Sequence, residues 1–228
     1  MERLRKGIFL SLLLLTSVAA AQERTTYSVD AAASDVHWLV YKAGAFARLG
    51  HNQVISAGQL SGSVVRDSDP AQSSFELVIP FAGLVVDDPQ LRSRYGEDFS
   101  SQPTAEDIAG TRKNMLTDKV LDGEHYSQLR LVGHGMSGDL DDATLAVTVQ
   151  MLGREVELSL PGRIEIDGDT LVASGEFSLM HADLGMKPFS VMMGALQVGE
   201  QLDFHYRIVA RAVDTLLPLN DAAPPGDR

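Results

Sequence analysis

The chain has no cysteine, which excludes disulfides and thiolate metal sites even in an oxidising compartment. It is short of positive charge, with 19 Lys and Arg against 31 Asp and Glu and a formal net charge of −12. So acidic a chain repels phosphate backbones, which argues against nucleic acid and against electrostatic attraction to anionic headgroups. There is no Gly-x-Ser-x-Gly nucleophile elbow, no glycine-rich phosphate loop, no His-x-His pair and no His-Glu-x-x-His helix. No apolar run reaches the roughly 20 residues that span a bilayer. Acyl transfer, phosphate binding and motif-borne metal chemistry therefore have no sequence foothold.

What is there begins with a processing segment. Arg3, Arg5 and Lys6 precede an apolar stretch over residues 8–15, and Ala19, Ala20 and Ala21 supply a small-residue cleavage site. Residues 1–21 are expected to be a signal peptide, with Gln22 first in the mature chain. No cysteine follows to carry a lipid, so no stable membrane anchor is expected, and the protein should be exported and soluble in the periplasm. Cleavage removes a net charge of +2, which takes −12 to −14. The remaining residues suit one all-β domain over 22–213, followed by a flexible, proline-containing tail over 214–228.

Alternation dominates that domain. Leu202, Phe204, Tyr206, Ile208 and Ala210 share one face, with Asp203, His205, Arg207 and Arg211 on the other. The same period of two runs through Leu145, Val147, Val149 and Met151, then Val156, Leu158 and Leu160, then Leu171, Ala173, Gly175 and Phe177. Such segments are antiparallel strands with one dry and one wet face. By this parity His37 and His205 point to the wet face, away from Trp38 and Phe204. Turn residues at Gly153-Arg154 and Asp167-Gly168-Asp169 join the runs into a meander. The fold class is therefore all-β: an antiparallel barrel of about eight strands with a short helical insertion. In that insertion Thr104 reads as an N-cap with Asp107 completing a capping box, and the helix is expected to lie over a barrel opening. A short turn of helix is expected after Asp87-Asp88-Pro89.

Two segments break the pattern. Residues 179–196 hold Met180, Met186, Met192 and Met193, four of the eight methionines, together with Phe189. They read either as a core plug or as a lipid-contacting mouth. The turn Leu49-Gly50-His51-Asn52 is the most chemistry-like spot, with His51 and Asn52 either meeting a ligand's head or fixing the loop. His51, His134 and His181 could converge on a metal only in space, because no two of the six histidines fall within one turn. Asp87, Asp88, Asp139, Asp141 and Asp142 read as solvated turn formers. Gly62, Ala173, Gly175 and Ala210 fall on the dry face, where small residues empty an interior that could hold one elongated apolar ligand.

The opening Tyr27-Ser28-Val29-Asp30 with Ser34-Asp35-Val36, the glycine strand at 58–62, Asn114-Met115-Leu116 through Leu121-Asp122 to Tyr126, the strand–turn–strand at 145–157, Phe177-Ser178-Leu179 to Gly185 and the last strand at 202–210 follow one another as in a known family. Over residues 27–213 the chain resembles the YceI-like lipid/polyisoprenoid-binding family of bacterial periplasmic proteins. The resemblance implies a lipocalin-like barrel around a long isoprenoid or a fatty-acid- or amide-like chain. It implies no catalytic residues and no cofactor, and it allows a homodimer. In one branch a second histidine stands at the position held here by Gln53.

Parity and resemblance together give the expected ligand contacts. Trp38, Val40, Phe75, Leu77, Leu131, Val147, Phe177 and Phe204 should line the cavity. Met115, Met186, Phe189 and Met192 should guard its opening, with His51 and Asn52 beside it. Two rivals remain: a metal- or haem-associated redox accessory using His51, and a membrane-protein adaptor with a filled barrel that binds through residues 180–196.

Overall fold

The computed structural model describes residues 24–213, so the expected signal peptide (1–21) and tail (214–228) lie outside the described residues. Its strands are β1 (Arg24–Val29), β2 (Asp35–Ala43), β3 (Gln53–Ala57), β4 (Ser61–Asp67), β5 (Ser74–Pro80), β6 (Leu84–Val86), β7 (Gln128–Gly138), β8 (Ala143–Met151), β9 (Arg154–Asp167), β10 (Thr170–Met180), β11 (Ser190–Val191) and β12 (Leu196–Ala212). The helices α1 (Pro89–Arg92) and α2 (Ala105–Met115) lie between β6 and β7.

All pairings are antiparallel, and they resolve into eight tracks. β1 and β2 run end to end along β12, β4 and β3 run end to end beside them, and β5 and β6 beside those. β7, β8, β9 and β10 complete the ring back to β12. Closure removes the exposed sheet edges that an open meander would leave. The first three tracks are each broken once, and one break follows from crowding. A Cβ at Gly58 would stand 2.7 Å from the Gly83 carbonyl oxygen, so the chain passes there without a side chain.

Beyond Pro80, β6 parts from β7, and the last bond between the two tracks is Phe81 N–H to the Ser127 carbonyl, 2.8 Å. Arg112 of α2 closes the gap by donating to the carbonyls of Leu84 and Ala82. A guanidinium there takes the place of a neighbouring strand. Thr104 and Asp107 form the expected capping box, which fixes where α2 starts. Asp88 caps α1 by accepting from the N–H groups of Gln90 and Leu91.

Three expectations need correction. The β8–β9 turn is Leu152-Gly153, with φ of 53° and 68°, and Met151 faces Arg154 across it. The small inward residues do not simply empty the barrel. Gly62 faces Leu77 and Gly175 faces Tyr206 across the sheet, and a Cβ on either would come within 2.8 Å of those side chains. Large residues lie across the bare backbone, as Phe75 does over Gly133, so the glycines let them flatten against the wall. Tyr206 bonds the Pro161 carbonyl, 2.8 Å, and burial pushes its phenol up to about 12.

The third correction concerns the outer face of β2. His37 is buried, not wet, because residues 87–101 fold over it. Leu39 and Val54 pack there against Leu91 and Phe99, with Tyr41 and Tyr95 at the margin. His37 stacks on His205 with ring centroids 5.0 Å apart.

Candidate functional site

The barrel encloses a cavity of about 920 Å³ that runs along its axis. Inward positions of every track reach it, and the reason is the period of two seen in the sequence. One wall is aromatic. Phe177, Phe204 and Trp38 are cross-strand neighbours on β10, β12 and β2, with centroids 5.1 Å and 6.0 Å apart. Facing walls are aliphatic, with Leu77, Leu131 and Val147 among them. The loops at 44–52 and 181–195 and helix α2 surround one end of the barrel, and α2 turns Asp107, Gly110, Thr111 and Asn114 toward the cavity.

Of the residues expected to meet a ligand, Trp38, Val40, His51, Phe75, Leu77, Met115, Leu131, Val147, Phe177, Met186, Phe189 and Phe204 line this space. Asn52 and Met192 are not among its lining residues. The Asn52 amide is spent on the loop, accepting from the Lys42 N–H at 3.0 Å and donating to the Asp98 carbonyl at 3.1 Å. Met192 sits at φ 53° and is 60% exposed, because the left-handed turn throws its side chain outward.

His51 has a partner that sequence spacing did not reveal. Its Nε2 lies 3.0 Å from Asp87 Oδ2, and Asp87 is 1% exposed rather than a solvated turn former. The other Asp87 oxygen accepts from the Val54 N–H at 2.9 Å and from Arg92. Arg92, also buried, donates to the carbonyls of Asn52 and Phe99 and to Ser101. The network ties β3, α1 and the 44–52 loop at the mouth. A carboxylate can only accept, so the shared proton sits on Nε2, and a neutral His51 keeps Nδ1 as an acceptor.

This pair is not an acyl-transfer triad, because no serine or threonine hydroxyl bonds His51 among the described residues. The other two histidines weighed with it have partners of their own: Thr148 for His134 and the Glu200 carbonyl for His181. Among the described residues, no three histidine or carboxylate groups are grouped as metal ligands. Gln53, standing where one branch of the resembled family has histidine, donates to Thr111 of α2 at 3.1 Å and so holds the helix to the mouth.

No protein-family model and no curated protein matches the chain. Among solved structures it is similar to BcnA of Burkholderia cenocepacia, with 14% identity, a TM-score of 0.57 and coverage of 79% of this chain and 98% of that one. Crystal structures of a YceI protein of Campylobacter jejuni are also similar, at 12% identity and a TM-score of 0.47 for one of them and 11% and 0.49 for a mutant with a monobromobimane guest. Each covers 69% of this chain and 83% of that one. The barrel fold is thus shared with BcnA.

Proposed function

We propose that the protein is a YceI-like barrel that binds one long apolar molecule, an isoprenoid or fatty chain, and sequesters or carries it in the periplasm without chemical change. The cavity carries this reading: about 920 Å³ walled by aromatic and aliphatic side chains, at the upper end of the range of ligand pockets. Each buried CH₂ of a guest contributes about 0.8 kcal/mol, so a long chain needs no charge partner to bind well. The likeness to BcnA in fold and the resemblance in sequence to a lipid/polyisoprenoid-binding family point the same way.

The guest chain lies along the aromatic wall, and its head stays beside His51, Gln53, Thr111 and Asn114. Native mass spectrometry of protein purified from its own host tests the reading. A co-purifying lipid, lost in Ala173→Phe because Ala173 lines the cavity, is the expected result. A barrel that is always empty and takes up neither isoprenoid nor fatty chain would sink it.

A further inference from the structure

The mouth has an outer lip that neither the barrel nor a bound guest explains. The loops at 44–52 and 181–195 are tied together by Phe46 N–H donating to the Ala195 carbonyl, 2.7 Å. Together they expose Phe46, Leu49, Met192 and Met193, the last two at 60% and 106%. Met192 and Met193 both adopt left-handed backbone, at φ 53° and 56°, a conformation unfavourable for residues with a Cβ. Folding gains nothing from holding two methionines out in water on strained backbone. Strain of this kind persists where the surroundings impose it, often at functional surfaces.

Two further features indicate what meets this lip. Leu49, Val191 and Leu196 also line the cavity, so the lip's apolar residues adjoin the interior. The charge at the lip is opposite to that of the whole chain. Lys42, Arg48 and Lys187 are exposed and form no ion pair among the described residues. The single acid in segments 42–52 and 181–197 is Asp183, whose carboxylate accepts from the Met180 N–H at 2.7 Å.

We propose that this lip docks on an anionic phospholipid bilayer. Phe46, Leu49, Met192 and Met193 enter the headgroup–acyl boundary, and Lys42, Arg48 and Lys187 meet the phosphates. The net charge, −12 for the full chain and −14 after the expected cleavage, does not forbid this, because repulsion from distant carboxylates is screened beyond about 8 Å at physiological salt. Glu106 and Asp107 of α2 also border the cavity, so contact is made with the loop side tilted down. Docking extends the proposed function, since a chain could then pass from cavity to bilayer without crossing water. Vesicle binding by guest-free protein nevertheless tests docking separately.

Flotation of the delipidated protein is measured with vesicles of phosphatidylcholine alone and of phosphatidylcholine with phosphatidylglycerol. The expected result is binding to the anionic vesicles that weakens with salt. Arg48→Gln should lower it about fivefold, as one lost basic contact. The double substitution Met192→Ser and Met193→Ser should lower it about tenfold or more. Both variants should melt like the parent, because these side chains are exposed. Ala173→Phe should lose guest uptake and keep vesicle binding, so failed uptake alone counts against the container and not against docking. Equal binding by parent and lip variants, or no preference for the anionic vesicles, overturns the proposal. Concentration-dependent dimerisation abolished by the methionine substitutions would also overturn it, by assigning the lip to a second copy.

Discussion

The two faces of β2 have opposite fates. Inward, Trp38 and Val40 border a cavity of about 920 Å³. Outward, His37 and Leu39, each 5% exposed, are pressed together with Val54 under residues 87–101, whose Leu91 and Phe99 pack down on them. The face that parity would leave in water is packed like a core, and the nominal core face is partly void. Close packing stabilises, whereas a void forfeits contact energy that a guest can restore. The outer strap therefore supplies rigidity that the hollow interior lacks, and the interior keeps its surface for binding.

The largest effect should come from the point that pins the strap. Asp87→Ala removes the acceptor of Arg92, His51 and the Val54 N–H and leaves a buried guanidinium without its carboxylate. Breaking one side of a buried ion pair typically costs about 3–5 kcal/mol. Urea unfolding should show a loss of that size, and a loss below about 1 kcal/mol would mean that the strap does not depend on the pair.

Matched leucines sharpen the comparison. Leu91→Ala, on the inner side of the strap, should cost about 3–4 kcal/mol, as for a well-packed core leucine. Leu131→Ala, facing the cavity, should cost only about 1–2 kcal/mol, because fewer packed neighbours are lost. Guest affinity should reverse the order and fall for Leu131→Ala alone. Equal losses of stability at the two sites would erase the distinction between the faces.

How much of this was written in the sequence differs between the same two faces. Alternation is a local property of a strand, so Trp38, Phe204, Val147 and their neighbours could be assigned inward before any pairing was known. The Thr104 and Asp107 capping box was legible for the same reason, since its parts are three residues apart. What covers an outward position depends on where a distant insertion folds back. Tyr95 reaching His37 across 58 residues, and Asp87 reaching His51 across 36, leave no periodic trace. A buried aspartate and a turn aspartate look alike in a run such as Asp87-Asp88-Pro89. Glycines on the dry face misled in a related way, because their bare backbone receives a cross-strand neighbour that only the register identifies.

The subtlest effect is a pH dependence on the outer face. Burial lowers the His37 pKa below its ordinary 6.5, against the opposing hydrogen bond that His37 donates to Asp35, while the charges of His205 and Arg94 lower it further. The groups facing it are Asp35 at 3.0 Å from Nδ1, the Tyr95 hydroxyl at Nε2, and His205 stacked upon it and paired with Glu176 at 3.1 Å. Arg94 stands 3.5 Å from Asp35. With a folded pKa below the unfolded one, the unfolded chain takes up the proton first on acidification. The contribution is therefore complete above pH 6.5 and is lost as the pH falls from there through the folded pKa. The neutral variant His37→Gln should lack this part of the acid limb, so its melting temperature should fall less than the parent's between neutral pH and about 5. Parallel melting curves for the two proteins over that interval would show that the His37–His205–Tyr95 cluster does not sense pH. The wall formed by Trp38 and Val40 has no titrating side chain, so protonation of His37 can act on a guest lying there only through the packing of β2.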